Sequence, residues 1–388
     1  MAIRVLIAGV SARAFAESAA RAGYAVSAVD AFGDLDLRAR AGTVALARDR
    51  RGRFNTRTAV RVARGLACDA VTYGASFENH PRSVEALACG RTLWGNAPAV
   101  LTRVRDPRRL ARALEVRGFA TPALCATRPA SSSGMRWLVK PRASGGGHGI
   151  APWRAGKRVP TGMYLQERIA GVAGSIVFAA DGRRTVPLGL SRLLAGERAF
   201  GARGLCYCGN ILAGAGDAQF PADARLCAAA TALAAAVTEE FGLVGVNGID
   251  FIARRGIPYA LEVNPRYTGS MELVERAYGL SLFEIHARAC AGELPPFDLA
   301  TARQEGERGA TGKAIVYAHH DITLGDTRPW LEDESVRDVP PPGEPVARGR
   351  PVCTIFAQGR DAVGCHAALV QRAASVYRAI AQRQVRIA

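Results

Sequence analysis

Residues 244–270 read VGVNGIDFIARRGIPYALEVNPRYTGS. Two runs of high strand propensity, VNGIDFIA and PYALEVNP, flank a turn at 254–257, which predicts an antiparallel hairpin. Side chains two apart on a strand share a face, so Glu262 and Asn264 point the same way. Asp250, on the preceding strand, can face the same side. Two carboxylates and an amide oxygen are hard donors that suit Mg2+, with positions left for water and phosphate oxygens. Arg266 follows on that face, where a guanidinium suits a transferring phosphoryl group or an acyl-phosphate. Alone, these residues could also be the wet face of a surface hairpin.

A second segment lies about a hundred residues earlier. The strand Leu138-Val139-Lys140-Pro141 delivers a lysine, and Ser144-Gly145-Gly146-Gly147-His148-Gly149 follows. Consecutive glycines let backbone N–H groups approach phosphate oxygens, and the ammonium adds a point charge. The lysine precedes the glycines, so this is not a P-loop. Lys140 stands out because the chain has only three lysines, Lys140, Lys157 and Lys313, among 51 basic residues. His148 within the loop is a candidate phosphate contact.

The rest of the chain supplies the frame. An apolar run at 4–8, a helix over 12–22 and a strand over 25–30 open a βαβ unit, and the alternation continues to residue 96. That predicts a parallel sheet covered on both faces. The turn Gly9-Val10-Ser11-Ala12-Arg13 lacks the glycines of a dinucleotide fingerprint. One long helix is expected over 98–117, a loop over 127–136, then short strands, a helix over 222–241, and another over 271–290. Glu78 and Asn79, at a strand end of the first unit, face the expected crevice.

The formal charge is +17 on 388 residues. The arginines are scattered along amphipathic helices and form no dense tail, so nucleic-acid binding is not expected; attraction of anionic substrates is. No apolar run is long enough to span a membrane, and the first residues read as a strand rather than a secretion signal. Nine cysteines without framework spacing fit reduced thiols in a cytoplasm.

Together, Lys140 with its glycine-rich loop, the strand 164–169 with Gly171, and the acidic hairpin ending in Asn264-Pro265-Arg266 resemble the ATP-grasp superfamily. The resemblance implies an α/β ATP-grasp fold. A Rossmann-like domain would occupy 1–97, the ATP-grasp module 98–300 with its lid at about 120–165, and a small α+β domain 301–388. It implies ATP and Mg2+ as cofactors, with Mn2+ able to substitute. Lys140 would contact phosphates under Gly145, Gly146, Gly147 and His148. The backbone of Gln166, Glu167, Arg168 and Ile169 would hold adenine, with Glu167 on the ribose. Asp250, Glu262 and Asn264 would hold the metal, and Arg266 the acyl-phosphate. Weaker substrate candidates are Glu78, Asn79, Arg192, Asn210, Ser270 and Glu272, with Arg192 as a carboxylate clamp and Ser270 and Glu272 as amine contacts.

Within the superfamily, LEVNPRYTGSMELVE is most similar to carboxylate–amine ligases related to tyramine–glutamate ligase of one-carbon cofactor synthesis. The implied reaction joins a small carboxylate, glutamate among the candidates, to an amine and releases ADP and phosphate. A homodimer is the family default. Two departures bear on this. Pro107 stands where many relatives carry a lysine, leaving Arg105 or Arg108 as the replacement, and a guanidinium is not an ammonium. Ser270 stands where carboxylase-like members carry a glutamate base, which disfavours a carboxyphosphate-forming enzyme. The remaining alternative, a non-catalytic nucleotide binder, is disfavoured by the intact Asp250, Glu262, Asn264 and Arg266.

Overall fold

The first strand sends its side chains alternately into two cores. Val5 and Ile7 face one cluster, Leu6 and Ala8 the other, and all four are buried, as expected for a strand covered on both sides. A computed structural model describes residues 2–49, 52–126, 136–304 and 309–384. The serine-rich stretch expected as a loop at 127–136 therefore lies, apart from Arg136, outside the described residues.

β1 (Arg4–Ala8), β2 (Ala25–Asp30), β3 (Thr43–Leu46), β4 (Ala70–Tyr73) and β5 (Thr92–Leu93) form a parallel sheet in the order β3-β2-β1-β4-β5. Helices α1 (Arg13–Arg21), α2 (Leu35–Arg38), α3 (Thr56–Ala63) and α4 (Pro81–Ala88) connect them. The helix expected over 98–117 is instead two, α5 (Pro98–Val104) and α6 (Pro107–Val116). Pro107 disfavours a helical conformation at Asp106, whose carboxylate then caps α6 by accepting from the Arg108 and Arg109 N–H groups at 2.9 and 3.3 Å. This break sets the position of Arg105.

A small sheet follows: β6 (Leu124–Cys125), β7 (Trp137–Pro141), β8 (Ala151–Pro152) and β9 (Met163–Glu167), in the order β6-β9-β7-β8. The largest sheet is antiparallel and eight-stranded. It is built from β10 (Val172–Asp181), β11 (Thr185–Ala195), β12 (Tyr207–Ala213), β13 (Val244–Arg254), β14 (Ile257–Asn264) and β15 (Ala310–Tyr317). After the two-residue β16 (Ile322–Thr323), β17 (Val336–Arg337), β18 (Pro345–Val346) and β19 (Pro351–Gly359) complete the strands. The large-sheet order is β14-β13-β10-β11-β12-β15-β19-β17, so the strands after residue 309 extend the same sheet that carries the acidic hairpin.

The nineteen-residue α7 (Asp223–Phe241) packs on one face of that sheet through Leu226, Leu233 and Val237. The helix expected over 271–290 is again two, α8 (Met271–Tyr278) and α9 (Leu282–Cys290). Gly279, at φ +68°, takes the left-handed conformation that ends α8. α10 (Leu299–Gln304) and α11 (Ala362–Gln384) complete the helices, and no helix of the described residues is long and apolar enough to cross a membrane.

The parallel sheet and the large sheet share one core. Phe15 of α1 stacks on Tyr267 at 4.4 Å and meets Phe283 of α9 at 4.8 Å, in a cluster that also holds Val5, Ile7, Val177 and Met271. Two buried polar joints fix the register between the sheets. The Asn96 amide donates to Asn247 Oδ1 at 2.8 Å and to the Pro265 carbonyl at 3.1 Å, and accepts from the Val244 N–H at 2.9 Å. His286 Nδ1 accepts from the Val246 N–H at 3.0 Å, while Nε2 lies 3.1 Å from Thr72 Oγ1 and 3.2 Å from the Trp94 carbonyl.

Burial depresses the His286 pKa from the ordinary 6.5 to about 4. The folded protein therefore keeps this imidazole neutral while the unfolded chain binds a proton. Stability attributable to it should be intact above about pH 6.5 and lost as pH falls to about 4. The loss should be about 3 kcal/mol. Urea unfolding of wild type and His286→Gln at a series of pH values checks this; a slope of equal size in both proteins would exclude His286 as the source.

Candidate active site

The acidic hairpin is built around a β-bulge. Asp250 pairs with Glu262, but the next residue, Phe251, pairs with Ala260, so Leu261 is the extra residue. Bulges re-aim side chains, and here Asp250 and Glu262 sit opposite each other with Asn264 following. The Asn264 amide nitrogen donates to Asp250 Oδ2 at 3.0 Å, and the Ser175 hydroxyl of the neighbouring β10 also donates to that carboxylate. Burial, then the Glu262 charge, pushes Asp250 up to about 6. Burial opposes the Glu262 charge too, but Arg105, Lys140 and Arg266 outweigh it and hold that carboxyl below its ordinary value.

Those three cations come from three elements. Lys140, on β7, is 7% exposed, and its Nζ donates to Gln166 Oε1 of β9 at 2.9 Å. The strand register makes the two diagonal neighbours, Lys140 opposite Tyr164 and Leu138 opposite Gln166. Burial lowers the Lys140 pKa, with Glu262 counteracting. Arg105, in the break between α5 and α6, donates to the Val263 carbonyl at 2.9 Å and to Glu262 Oε2 at 3.4 Å. It also donates to Asn79 Oδ1 at 3.0 Å and to the Ser144 carbonyl at 3.2 Å. Arg108 is exposed, so of the two arginines weighed as a lysine replacement, Arg105 reaches the acidic pair. Arg266 donates twice to Glu78 Oε1, at 2.9 and 2.7 Å, and touches Asn264 Oδ1 at 3.3 Å.

The glycine-rich loop lies against this cleft. Gly145 and Gly147 line it together with Lys140, Arg105, Tyr164 and Glu262 around a space of about 30 Å3, the share of one water molecule. With the loop in this position the space is smaller than a nucleotide. The loop rests on the segment after β11: the Tyr207 N–H donates to the Gly146 carbonyl at 3.0 Å. A Cβ at Gly147, where φ is +75°, would fall 1.8 Å from the Leu205 carbonyl oxygen. Glycine is required there on both counts.

Several expected residues are placed otherwise. His148 is exposed and does not line the cleft, because the turn holding its N–H near the Gly145 carbonyl directs it outward. Arg192 pairs with Gly174 and Ile211 while Ser191 pairs with Ser175, so alternation puts Arg192 on the opposite face of the sheet from Asp250. Asn210 is fully buried. Its amide donates to Ser191 Oγ at 3.0 Å and accepts from the Tyr207 hydroxyl, so both of its ends are turned to protein partners in the interior. The Ser270 hydroxyl is buried 2.9 Å from Thr268 Oγ1. Glu272 faces inward to an ion cluster, bonded to both terminal nitrogens of Arg13 and to Lys313 Nζ at 2.8 Å. Burial works against its charge, but Arg13 and Lys313 hold it well below the usual carboxylate range. A buried carboxylate needs such partners, and the substrate side does not supply them.

At the end of β9 and just after it, the Glu167 and Arg168 N–H groups already donate to the Ala123 and Arg136 carbonyls, at 2.8 and 2.7 Å. The Glu167 carboxylate accepts from the Ala123 N–H at 3.1 Å. Ile169 is buried and Arg168 exposed. Glu78 is 1% exposed, and its Oε2 is buried with no hydrogen-bond partner. An orphaned carboxylate oxygen is costly and points to a missing donor.

Sequence reasoning passed over Ser175, whose proximity to Asp250 follows only from strand pairing. It also assigned no role to Lys313, which the scarcity of lysine could have flagged. Among the described residues no group of three or more His, Cys, Asp or Glu could hold a metal. Asp250, Glu262 and the Asn264 amide are thus two carboxylates and one amide, a donor set that fits a hard cation completing its shell with water and phosphate oxygens.

Residues 104–270, a little under half of the chain, match the family model of the ATP-grasp domain. An uncharacterized protein of Methanocaldococcus jannaschii is 26% identical over 123 residues, a match spanning 31% of this chain but only 28% of that protein. Among solved structures, the biotin carboxylase domain of 2-oxoglutarate carboxylase from Hydrogenobacter thermophilus, in complex with MgADP, ADP and bicarbonate, has a TM-score of 0.68. It is 16% identical, covering 93% of this chain and 87% of that one. N5-carboxyaminoimidazole synthetase from Staphylococcus aureus, also 16% identical, has a TM-score of 0.65 and covers 97% of each chain. The chain therefore carries an ATP-grasp domain at residues 104–270, set within an ATP-grasp fold that extends over most of its length.

Proposed function

We propose that this chain is an ATP- and Mg2+-dependent carboxylate–amine ligase releasing ADP and phosphate. The observation that carries the reading is the register pair Asp250–Glu262, with Asn264 beside it and Lys140, Arg105 and Arg266 around it. Asp250, Glu262 and Asn264 would hold Mg2+, or Mn2+ in its place. The ion would supply charge neutralisation on the phosphate oxygens. Lys140 and the backbone of Gly145–Gly147 bind and orient the phosphates; Gln166 keeps the Lys140 ammonium in place. The strand at Gln166–Ile169 is the proposed adenine edge, read through the carbonyls and the Ile169 N–H, since two N–H groups are already engaged.

A substrate carboxylate oxygen takes the γ-phosphoryl group as the bond to the β-phosphate oxygen breaks, giving an acyl-phosphate and ADP. An amine then attacks the acyl carbon, phosphate leaves, and the amine loses a proton. Arg266 binds the acyl-phosphate, oriented by Glu78, and Glu78 Oε2 accepts from the incoming amine. These roles are positioning and electrostatic stabilisation, without a covalent enzyme intermediate.

The proposed carboxylate is a small amino acid such as glutamate, in the branch related to tyramine–glutamate ligase and in one-carbon cofactor synthesis. We further propose a cytoplasmic homodimer, with 1–97 contributing Glu78 and Asn79, 98–300 the nucleotide and metal site, and 301–388 the C-terminal unit. A carboxyphosphate-forming enzyme is the second reading, favoured by likeness to a bicarbonate-bound biotin carboxylase domain. The buried Ser270 in place of a base weighs against it.

Release of ADP and phosphate with ATP and Mg2+ should require both a carboxylate and an amine, tested on a panel that includes glutamate with tyramine. Lys140→Ala and Glu262→Gln should each lower the rate roughly 100-fold or more. AMP as product would overturn the acyl-phosphate route, and ADP release driven by bicarbonate alone would select the second reading. Arg105→Ala removes a charged donor from the cleft, worth about 1.5–3 kcal/mol. It should therefore raise the ATP KM about tenfold or more, read from the same assay; an unchanged KM would remove Arg105 from the nucleotide site.

A further inference from the structure

Beside the short turn that carries Glu78, an open cavity of about 1010 Å3 lies between α3, α4 and the Ser76–His80 segment. Arg57, Arg61, Arg64, Arg82 and His80 line it, and none of its lining residues is acidic. The four guanidinium groups make no salt bridge or side-chain hydrogen bond among the described residues, whereas the arginines around Glu262 and Glu78 are paired. Arg57, Arg61 and Arg64 recur at i, i+4 and i+7, along one face of α3 and its C-terminal cap. All four arginines are exposed; like charges at that spacing repel, offset at Arg61 and Arg64 by the C-terminal end of the helix dipole, and no acidic side chain of the cavity neutralises them. Phe54, Val60 and Ala86 add apolar wall. A cavity with positive charge on several sides and some apolar surface fits an organic anion with more than one negative group.

The cavity adjoins the candidate active site at Asn79. Asn79 lines the cavity and accepts at Oδ1 from Arg105 at 3.0 Å, and Arg105 reaches Glu262. Glu78, one residue earlier in the same three-residue turn, holds Arg266 through Oε1 and leaves Oε2 without a partner. We infer that the acceptor amine carries a polyanionic tail, held by Arg57, Arg61, Arg64 and Arg82, with its amine directed to Glu78. This rests on the ligase reading above and adds the substrate class: an amine bearing two or more carboxylate or phosphate groups remote from its nitrogen.

The test uses the full-length protein with tricarballylate, three carboxylates on an apolar chain, as the probe. It is titrated calorimetrically with saturating ADP so that the Lys140 cleft is occupied. Wild type is compared with Arg57→Glu/Arg61→Glu and with Arg183→Glu/Arg254→Glu, exposed arginines outside the cavity that give the same change in net charge. Binding should be at least tenfold weaker in the cavity pair and within twofold of wild type in the control pair, with circular dichroism unchanged in both. Equal weakening in both pairs would show attraction by the overall +17 charge and overturn the proposal, as would the absence of tricarballylate binding to wild type. ADP affinity, measured separately on the same proteins, tests the nucleotide reading. Its failure alongside a cavity-specific loss of tricarballylate binding would sink the ligase assignment while leaving an anion site at α3 and α4.

Discussion

Asp250 and Glu262 face each other across one antiparallel pair, and two carboxylates that close in a partly buried setting repel unless cations neutralise them. No single element of this chain supplies enough positive charge to do so. Lys140 arrives from the small sheet, Arg105 from the break between α5 and α6, and Arg266 from the end of the hairpin. The acidic pair therefore keeps its charge only where these three segments meet. The unequal outcome, Asp250 pushed up and Glu262 held down, follows from geometry: Arg105 bonds Glu262 directly, while Asp250 relies on neutral donors from Ser175 and Asn264.

That dependence explains why the joints between the sheets are polar and buried. Asn96 and His286 each tie the parallel sheet to the strand that leads into Asp250, and the shared aromatic core around Phe15 fixes the same distance. A buried amide or imidazole with all its bonds made tolerates little sliding, because a shift leaves unsatisfied groups in a dry interior. The second ion cluster, Arg13 with Glu272, Asp338 and Lys313, performs the same service on the far side of α1. Glu272 thus belongs to the joint between segments and not to the substrate side.

The glycine-rich loop is constrained differently. It meets the rest of the protein through its own backbone: the Ser144 carbonyl accepts from the Arg105 and Asn79 side chains, the Gly146 carbonyl accepts from the Tyr207 N–H, and Gly147 lies against Leu205. None of Ser144–Gly149 is buried, so few packed side chains hold the loop down.

Much of this was legible in the sequence because it depends on local spacing. Period-two alternation gave the hairpin and the common face of Glu262 and Asn264. Strand–helix alternation gave the parallel sheet, and the lysine-then-glycine order marked Lys140. The errors arose where one local rule competed with another or where partners are remote in sequence. Pro107 and Gly279 split helices that apolar periodicity alone would continue. The face of Arg192 depends on which residues of β10 and β12 pair with it, and the roles of Asn210 and Glu272 depend on Ser191, Tyr207, Arg13 and Lys313. The sequence by itself determined which chemistry-bearing groups exist and which of them share a strand face, since backbone geometry repeats every two residues. Tertiary structure alone decided which charge neutralises which, because ion pairing is set by distance in space and by burial, and neither is written in the order of the residues.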